Sequence, residues 1–284
     1  MSKQKRNYST KKPQSLVKYI PPICDVVTPF HNGFGFFDAT LEAIPEALGK
    51  YYQKSTVTLV DDQSDKEKLQ EYTLHLPSKF RVIHTRSRLG YPGGCDLGAN
   101  QGKAKYIAII TSDVVMQPGS VELMIDEMEA DETIGVIGPK LLFPKDSTDP
   151  ARPAGKVQHA GLEMGINSNL YHIFSGWSAD HPKVNIRREA LALTGAMLLI
   201  RRDTWNKVGG FFVGYGRGTY EDMDLCFSIR YAKQKVIYEP LAVGEHFVGA
   251  TAVESEEGFD LKGNEMLFRL RWGSSFVWSD FAVL

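Results

Sequence analysis

The stretch GTYEDMDLC, Gly218 to Cys226, gathers Glu221, Asp222 and Asp224 into four positions. It follows a glycine-rich run and precedes an apolar helical pattern. Acidic residues there either suit a helix start or act as a base. With a helix beginning near Tyr220, Asp222, Leu225, Cys226 and Ile229 recur at i, i+3, i+4 and i+7 on one inward stripe. Glu221, Asp224 and Ser228 fall on an adjoining face. A first-turn acid gains about 0.3–1 kcal/mol from the helix dipole. That accounts for Asp224 and leaves Glu221 ambiguous. It does not account for an acid on an apolar stripe, where an unpaired charge costs more than the dipole returns. Asp222 therefore requires a partner, a metal or a catalytic duty.

Other polar residues sit where strands are expected to end. Asp113 follows an apolar run and stands five residues before Pro118, too far to cap the next helix. A lone acid at such an edge suits Mg²⁺ or Mn²⁺ shared with substrate phosphates. His246 in GEHFVG is either a second ligand or a structural histidine. Asp61 and Asp62 are able to accept from a pyrimidine imino group or a ribose hydroxyl; before Gln63 and Ser64 they equally suit a turn, which these residues alone favour. The run GYPGGCDLG lacks G-x-G-x-x-G order, so it lets backbone approach a ligand or opens a helix. There is no zinc-binding H-E-x-x-H, no phosphate loop and no G-x-S-x-G elbow.

The elements that must position these residues alternate. Ile23–Val27, STVTLV, FRVIH, YIAII and IGVIG read as strands. The first stops at Thr28-Pro29. Between them lie a helix capped by Asp38 and interrupted at Pro45, a polar helix near Lys66–Tyr72, a helix near Cys95–Lys103, and one opening at Pro118. Alternation of this kind implies an α/β fold with a mostly parallel, covered sheet, and ligands lie beyond its carboxyl strand ends. Thr28-Pro29, Asp61-Asp62-Gln63-Ser64 and Thr111-Ser112-Asp113 should converge there. From Pro144 the style changes to short strands and loops, then LALTGAMLLIRR as one strand or a pair, a helical turn at DTWNKVGGF, late strands KVIYEP and AVGEHF, and a helix GNEMLFRLRWG.

The chain has 284 residues, 43% of them hydrophobic, and a formal net charge of -1. Residues 1–20 carry six basic residues and no acid, reading as a solvated leader or as an arm that touches phosphate on a membrane or nucleic acid. Cys24, Cys95 and Cys226 are far apart and suggest neither zinc ribbon nor disulfide framework, in keeping with a cytoplasmic setting. No secretory signal is apparent, and LALTGAMLLI falls far short of the ~20 residues of a membrane span. The expected organisation is a basic leader over 1–22, a domain over 23–250 divided at 116/117, and a helical extension over 251–284.

From Ile23 to Trp272 the chain resembles the family 2 glycosyltransferases of GT-A fold, with a likeness to rhamnosyltransferase-type enzymes of surface polysaccharides. The resemblance is carried by TLVDDQSD, then RLGYPGGCDLGANQGKAKYIAIITSDVVMQPG, then LTGAMLLIRRDTWNKVGGF, YEDMDLCFSIRYAKQKVIYEP, EHFVGAT and NEMLFRLRW, in that order. It implies a Rossmann-like sheet with helices on both faces and a smaller acceptor-side subregion, with 23–116 as the nucleotide-binding half and 117–250 as the acceptor and catalytic half. Thr28, Pro29, Asp61 and Asp62 would line the base and ribose, with Arg88 and Gly90 in the nucleotide-facing loop. Ser112 and Asp113 would meet the donor, Asp113 and His246 would hold Mn²⁺ or Mg²⁺, and Gly195 and Ala196 would flank the donor sugar. Asp222 would be the general base, with Glu221 binding acceptor or positioning it. The chain departs from the family at Thr111, where Asn or Asp is usual, at Arg88 and Asp96, where Asn is usual, and at Phe212 in place of an Asp.

The resemblance implies an inverting hexosyl or deoxyhexosyl transferase using a UDP-, dTDP- or GDP-linked sugar and a glycan or lipid-linked acceptor. Two other readings stay open. One is a non-catalytic binder of nucleotide sugar or glycan, favoured by Thr111. The other is transfer onto modified nucleic acid held by the leader. The expected location is cytoplasmic, or peripheral at a membrane surface.

Overall fold

The computed structural model describes residues 21–73, 76–165, 170–247 and 258–273. The leader over 1–20 and much of the 251–284 extension lie outside the described residues. In chain order the first half holds β1 (Cys24–Phe30), α1 (Phe37–Leu48), β2 (Ser55–Asp61), α2 (Lys66–Thr73), β3 (Phe80–His84), α3 (Gly90–Ala99), β4 (Tyr106–Ile110), β5 (Val114–Met116), α4 (Ser120–Ala130) and β6 (Ile134–Leu142). The second holds β7 (Val157–His159), β8 (Leu162–Met164), β9 (Leu170–His172), β10 (Arg188–Glu189), β11 (Met197–Arg201), α5 (Arg202–Val208), α6 (Glu221–Tyr231), β12 (Lys235–His246) and α7 (Leu261–Trp272).

One sheet runs β10-β12-β6-β11-β4-β1-β2-β3, with β5 on β12 and β7 on β6, while β8 and β9 form a separate hairpin. Alternation along each strand divides its residues between two helical layers. Val26, Leu59, Ala108 and Leu199 join one core with Ile44 of α1 and Met124 of α4. Their neighbours Val27, Val60, Ile107 and Ile200 join the other, with Ala99 of α3, Trp205 of α5 and Leu225 of α6. Both faces are covered, which is why these strands read as unbroken apolar runs.

The alternating reading of the first half holds, with local differences. The first strand continues through Thr28 and Pro29 to Phe30, because its ladder with β4 already ends at Val27↔Ile109, before the residue that has no N–H to give. Asp38 lies inside the first turn of α1 rather than capping it, and α1 runs past Pro45 to Leu48. The third helix starts at Gly90, not Cys95, so the glycines lie within it. At Gly98 a Cβ would meet Val27 Cγ1 at 2.3 Å, so the glycine sets how closely α3 approaches β1. The fourth helix begins at Ser120, with Gly119 rather than Pro118 leading in. The fifth strand, β6, does not pair with β4. Antiparallel β11 stands between them. Only MLLIR of the long apolar stretch is strand there, and the two late strands are one, β12, with an irregularity between Glu239 and Val243. Among the described residues no helix is long and apolar enough to cross a membrane.

A buried ion pair ties β1 to α5 across the sheet. Asp25 Oδ2 meets Arg202 Nη2 at 2.7 Å and accepts from Ala104 N at 2.8 Å, while Oδ1 accepts from Thr56 Oγ1 at 2.6 Å. Arg202 also donates to Ala99 O at 2.6 Å and Ala104 O at 3.2 Å. Removing one partner strands the other charge. Asp25→Ala is expected to lower unfolding free energy by about 3–5 kcal/mol, read as an earlier urea midpoint at unchanged slope.

Candidate active site

The carboxyl ends of β1, β2 and β4 open into a cleft of about 570 Å³. Pro29, Asp62, Arg88, Gly90, Ser112, Asp113, Gly195, Ala196, Glu221, Asp222 and His246 all line it. Two expected site residues do not. Thr28 is fully buried within β1, and its Oγ1 has no hydrogen-bond partner among the described residues. Asp61 turns to a neighbouring cavity of about 420 Å³, accepting from Ser64 N at 2.9 Å and contacting His84 Nδ1 at 3.1 Å. Successive residues at a strand end point to opposite sides, so adjacent acids cannot share one cleft wall.

Asp62 shapes its surroundings instead of standing free. Its carboxylate accepts from Leu89 N and Gly90 N, each at 2.8 Å, and from Thr85 Oγ1 at 2.9 Å. Its carbonyl accepts from Arg88 Nη1 at 2.7 Å. The loop after β3 is thereby folded into the cleft rim. Gly90 opens α3 with φ 72°, and a Cβ there would lie 2.2 Å from Gly216 O. Only glycine combines that conformation with that approach.

Asp113 and His246 come from adjacent backbone. His246 is in register with Val114, and Phe247 N donates to Asp113 O at 2.9 Å. His246 Nε2 lies 3.6 Å from Asp113 Oδ1. Its Nδ1 sits 3.4 Å from Gln158 Oε1. Burial pushes the Asp113 carboxyl up, but bonding and charge from His246 and a hydrogen bond from Thr111 outweigh it and leave the pKa below the ordinary range. The pair thus offers an anionic oxygen and an imidazole nitrogen at a cleft wall. That donor set fits a divalent cation that takes its remaining ligands from substrate oxygens and water. Among the described residues no group of three or more His, Cys, Asp or Glu could hold a metal by itself.

The three acids of α6 have three different environments. Leu225, Cys226 and Ile229 are buried, as the helical spacing requires, but Asp222 is only half-buried, at the cleft. Its Oδ2 accepts from Gly195 N and its Oδ1 from Met223 N, both at 2.8 Å. Burial raises its pKa against these donors, which lower it. Glu221 is deeper, 6% exposed, and its Oε2 has no partner among the described residues. Burial and then the charge of Asp222 raise its pKa well above the ordinary value. A carboxylate with raised pKa in a cleft is suited to proton transfer near neutrality.

Asp224 corrects the spacing argument. It is not a solvated first-turn acid explained by the dipole but is 2% exposed. Tyr215 OH donates to its Oδ2 at 2.9 Å, Arg271 Nε at 2.6 Å and Trp272 Nε1 at 2.8 Å. Phe212, where an Asp is usual, lies under the Arg271 guanidinium at 3.8 Å. Asp96 sits apart from the cleft and accepts from Phe211 N at 3.1 Å.

Sequence reading missed what holds the loop before α6. Gly218, Thr219 and Tyr220 run with φ of 133°, 79° and 70°. Two of these are not glycine, and such residues cost of order 1–3 kcal/mol each unless the surroundings hold them. Asn264 of α7 does so: its Nδ2 donates to Gly218 O at 2.8 Å, Tyr215 O at 3.0 Å and Thr219 Oγ1 at 3.0 Å. The available signal was spacing, because Asn264, Phe268, Arg271 and Trp272 share one face of α7.

The sheet order and the cleft at its carboxyl edge define a GT-A fold, and solved structures agree. GalNAc-T7, solved with UDP, GalNAc and Mn²⁺, superposes with a TM-score of 0.63 at 17% identity, over 80% of this chain and 44% of that one. The Glycosyl transferase family 2 model matches residues 25–206, and the chain belongs to that family. An uncharacterised protein of Sinorhizobium fredii is 23% identical over 81% of this chain, which spans only a quarter (25%) of that relative's length. The N-acetylglucosaminyl-diphospho-decaprenol L-rhamnosyltransferase of Mycobacterium tuberculosis is 23% identical over 71% of this chain and 70% of its own.

The raised Glu221 pKa has a consequence for stability. A carboxyl whose folded pKa lies above its unfolded value supports folding below the unfolded value and loses that support as pH rises through the folded one. Glu221→Gln removes the ionisation. The variant is expected to exceed wild type in urea resistance at about pH 8 and to match it at about pH 4. An equal difference at both pH values would contradict a buried, protonated Glu221.

Proposed function

We propose that this chain transfers a sugar from a nucleotide-diphosphate sugar to a hydroxyl of a glycan or lipid-linked glycan, with inversion at the anomeric carbon. One observation carries the reading: Asp222, oriented by Gly195 N, shares a single cleft with the Asp113–His246 pair. GalNAc-T7 is solved with UDP and Mn²⁺, and the mycobacterial relative is named for L-rhamnosyl transfer, which supports a nucleotide-sugar donor.

In this reading Pro29, Asp62 and Arg88 form the nucleotide end of the cleft, and Gly195 and Ala196 flank the transferred sugar. Asp222 removes the proton of the acceptor hydroxyl. That oxygen attacks the anomeric carbon opposite the leaving group, and the bond to the nucleoside diphosphate breaks. Glu221, held beside it and protonated, keeps a second negative charge away from Asp222 and positions the acceptor. Asp113 and His246 would hold Mn²⁺ or Mg²⁺, which when bound offsets the charge of the departing diphosphate.

Asp222→Asn is expected to lower kcat by about 10²–10⁴-fold while affinity for the nucleotide sugar is kept. Wild-type turnover from that variant overturns the assignment of the base. Chelation by EDTA is expected to abolish transfer, with recovery on adding Mn²⁺ or Mg²⁺, and full turnover in chelator removes the Asp113–His246 pair from this role. Release of nucleoside diphosphate from UDP-, dTDP- and GDP-sugars with Mn²⁺ separates an enzyme from a binder, since a binder releases none.

A further inference from the structure

A second buried network meets the same cleft, and neither the family motifs nor the proposed mechanism uses it. His159, at the end of β7, is 0% exposed. Its Nε2 accepts from Gly161 N at 3.3 Å and Thr194 N at 3.4 Å. A backbone N–H only donates, so this nitrogen carries the lone pair and the ring proton resides on Nδ1. That Nδ1–H lies 2.9 Å from His172 Nδ1, which must therefore accept. His172 is left with its proton on Nε2. Burial lowers the pKa of both rings, that of His172 to about 4, so the pair stays neutral near pH 7.

His172 ends β9 opposite Leu162 and lines the cleft, as Leu162, Leu170 and Thr194 do. With Nδ1 spent on His159, the polar atom it can offer a ligand is Nε2–H. Its surroundings say which part of a ligand it meets. Gln158, the residue before His159, has its Oε1 3.4 Å from His246 Nδ1, which brings the candidate cation pair to one side of this network. On the other side His159 ties His172 to Thr194 N, and the next residue, Gly195, gives its N–H to Asp222. What spans cation and base in a transfer reaction is the sugar being moved.

Resting on the transferase reading above, the geometry points to His172 as a specificity-determining residue whose fixed Nε2–H donates to an oxygen of the transferred sugar. Leu162, opposite His172 in the hairpin, and Leu170 make this part of the cleft wall apolar, which raises the value of one polar contact there. His159 is a positioning residue: it fixes the tautomer and ties the ring to the segment that orients Asp222.

Two measurements test this. Long-range ¹⁵N–¹H spectra of the wild-type chain at pH 7 should show His172 neutral with its proton on Nε2; a proton on Nδ1, or an imidazolium, overturns the assignment. Binding of UDP-glucose, dTDP-rhamnose and GDP-mannose, each beside its parent nucleoside diphosphate and with Mn²⁺, supplies the second. For the nucleotide sugar that wild type prefers, His172→Phe should weaken binding about fivefold to tenfold, the loss of one hydrogen bond, with nucleoside diphosphate affinity unchanged. His172→Gln, which keeps an N–H at similar reach, should restore most of it. Equal weakening of sugar and diphosphate ligands, or none, overturns the role of His172 alone. Failure of all three nucleotide sugars to bind wild type overturns the transferase reading and this inference with it.

Discussion

Three carboxylates in the first turn of one helix must each be reconciled with low-dielectric surroundings, and the architecture of the cleft follows from how that is done. Asp224 is neutralised by Arg271 and bound by Tyr215 and Trp272. Asp222 remains at the cleft and is stabilised by two backbone N–H groups. Glu221 has backbone hydrogen bonds too, but burial and the charge of Asp222 outweigh them, its Oε2 has no partner among the described residues, and it is driven toward its neutral form. An unpaired buried charge is costly, so each acid has either a partner or a proton. The outcome is one structural anion, one ionisable group aimed at the cleft and one retained proton beside it.

The same constraint explains the C-terminal helix. Helix α7 supplies Arg271 and Trp272 to Asp224, and Asn264 to the carbonyls of Tyr215 and Gly218 and the hydroxyl of Thr219 in the loop before α6. Without it the acid on α6 would lose its counter-charge and the loop before α6 would lose its clamp. A segment far from the cleft in sequence thus sets the direction from which Glu221 and Asp222 enter it. The short segment Thr194–Ala196 acts on the other side. Gly195 N orients Asp222, Gly195 O accepts from Tyr91 OH at 2.6 Å, Thr194 N reaches His159, and Ala196 O receives Thr111 N at 2.9 Å. Small residues are needed here, because a Cβ on Gly195 would sit 3.0 Å from Tyr91 OH and 3.3 Å from the Asp222 side chain.

Much of the fold was legible in the chain. Apolar runs of strand length ending in Thr28-Pro29, Asp61-Asp62 and Thr111-Ser112-Asp113 marked strands and the edge at which they open. Helical spacing correctly buried Leu225, Cys226 and Ile229. It failed for the acids, because a period of 3.6 residues gives an angle around a helix and not what lies against each angle. Asp224 looked like the solvated acid and is the more buried, since α7 folds over that face. Asp61 and Asp62 looked like a pair and are separated by strand alternation.

Sequence by itself determined the local terms: which segments alternate and which residue types stand at the strand ends. These depend on neighbours within a few positions, so pattern exposes them. Tertiary structure alone decided the insertion of antiparallel β11 between β4 and β6, the separation of Asp61 from Asp62, the clamp from Asn264 and the tautomer of His172. Each of these depends on short-range hydrogen bonds or Coulomb contacts between residues distant in the chain. Such forces act only after the backbone has brought their partners within a few ångströms.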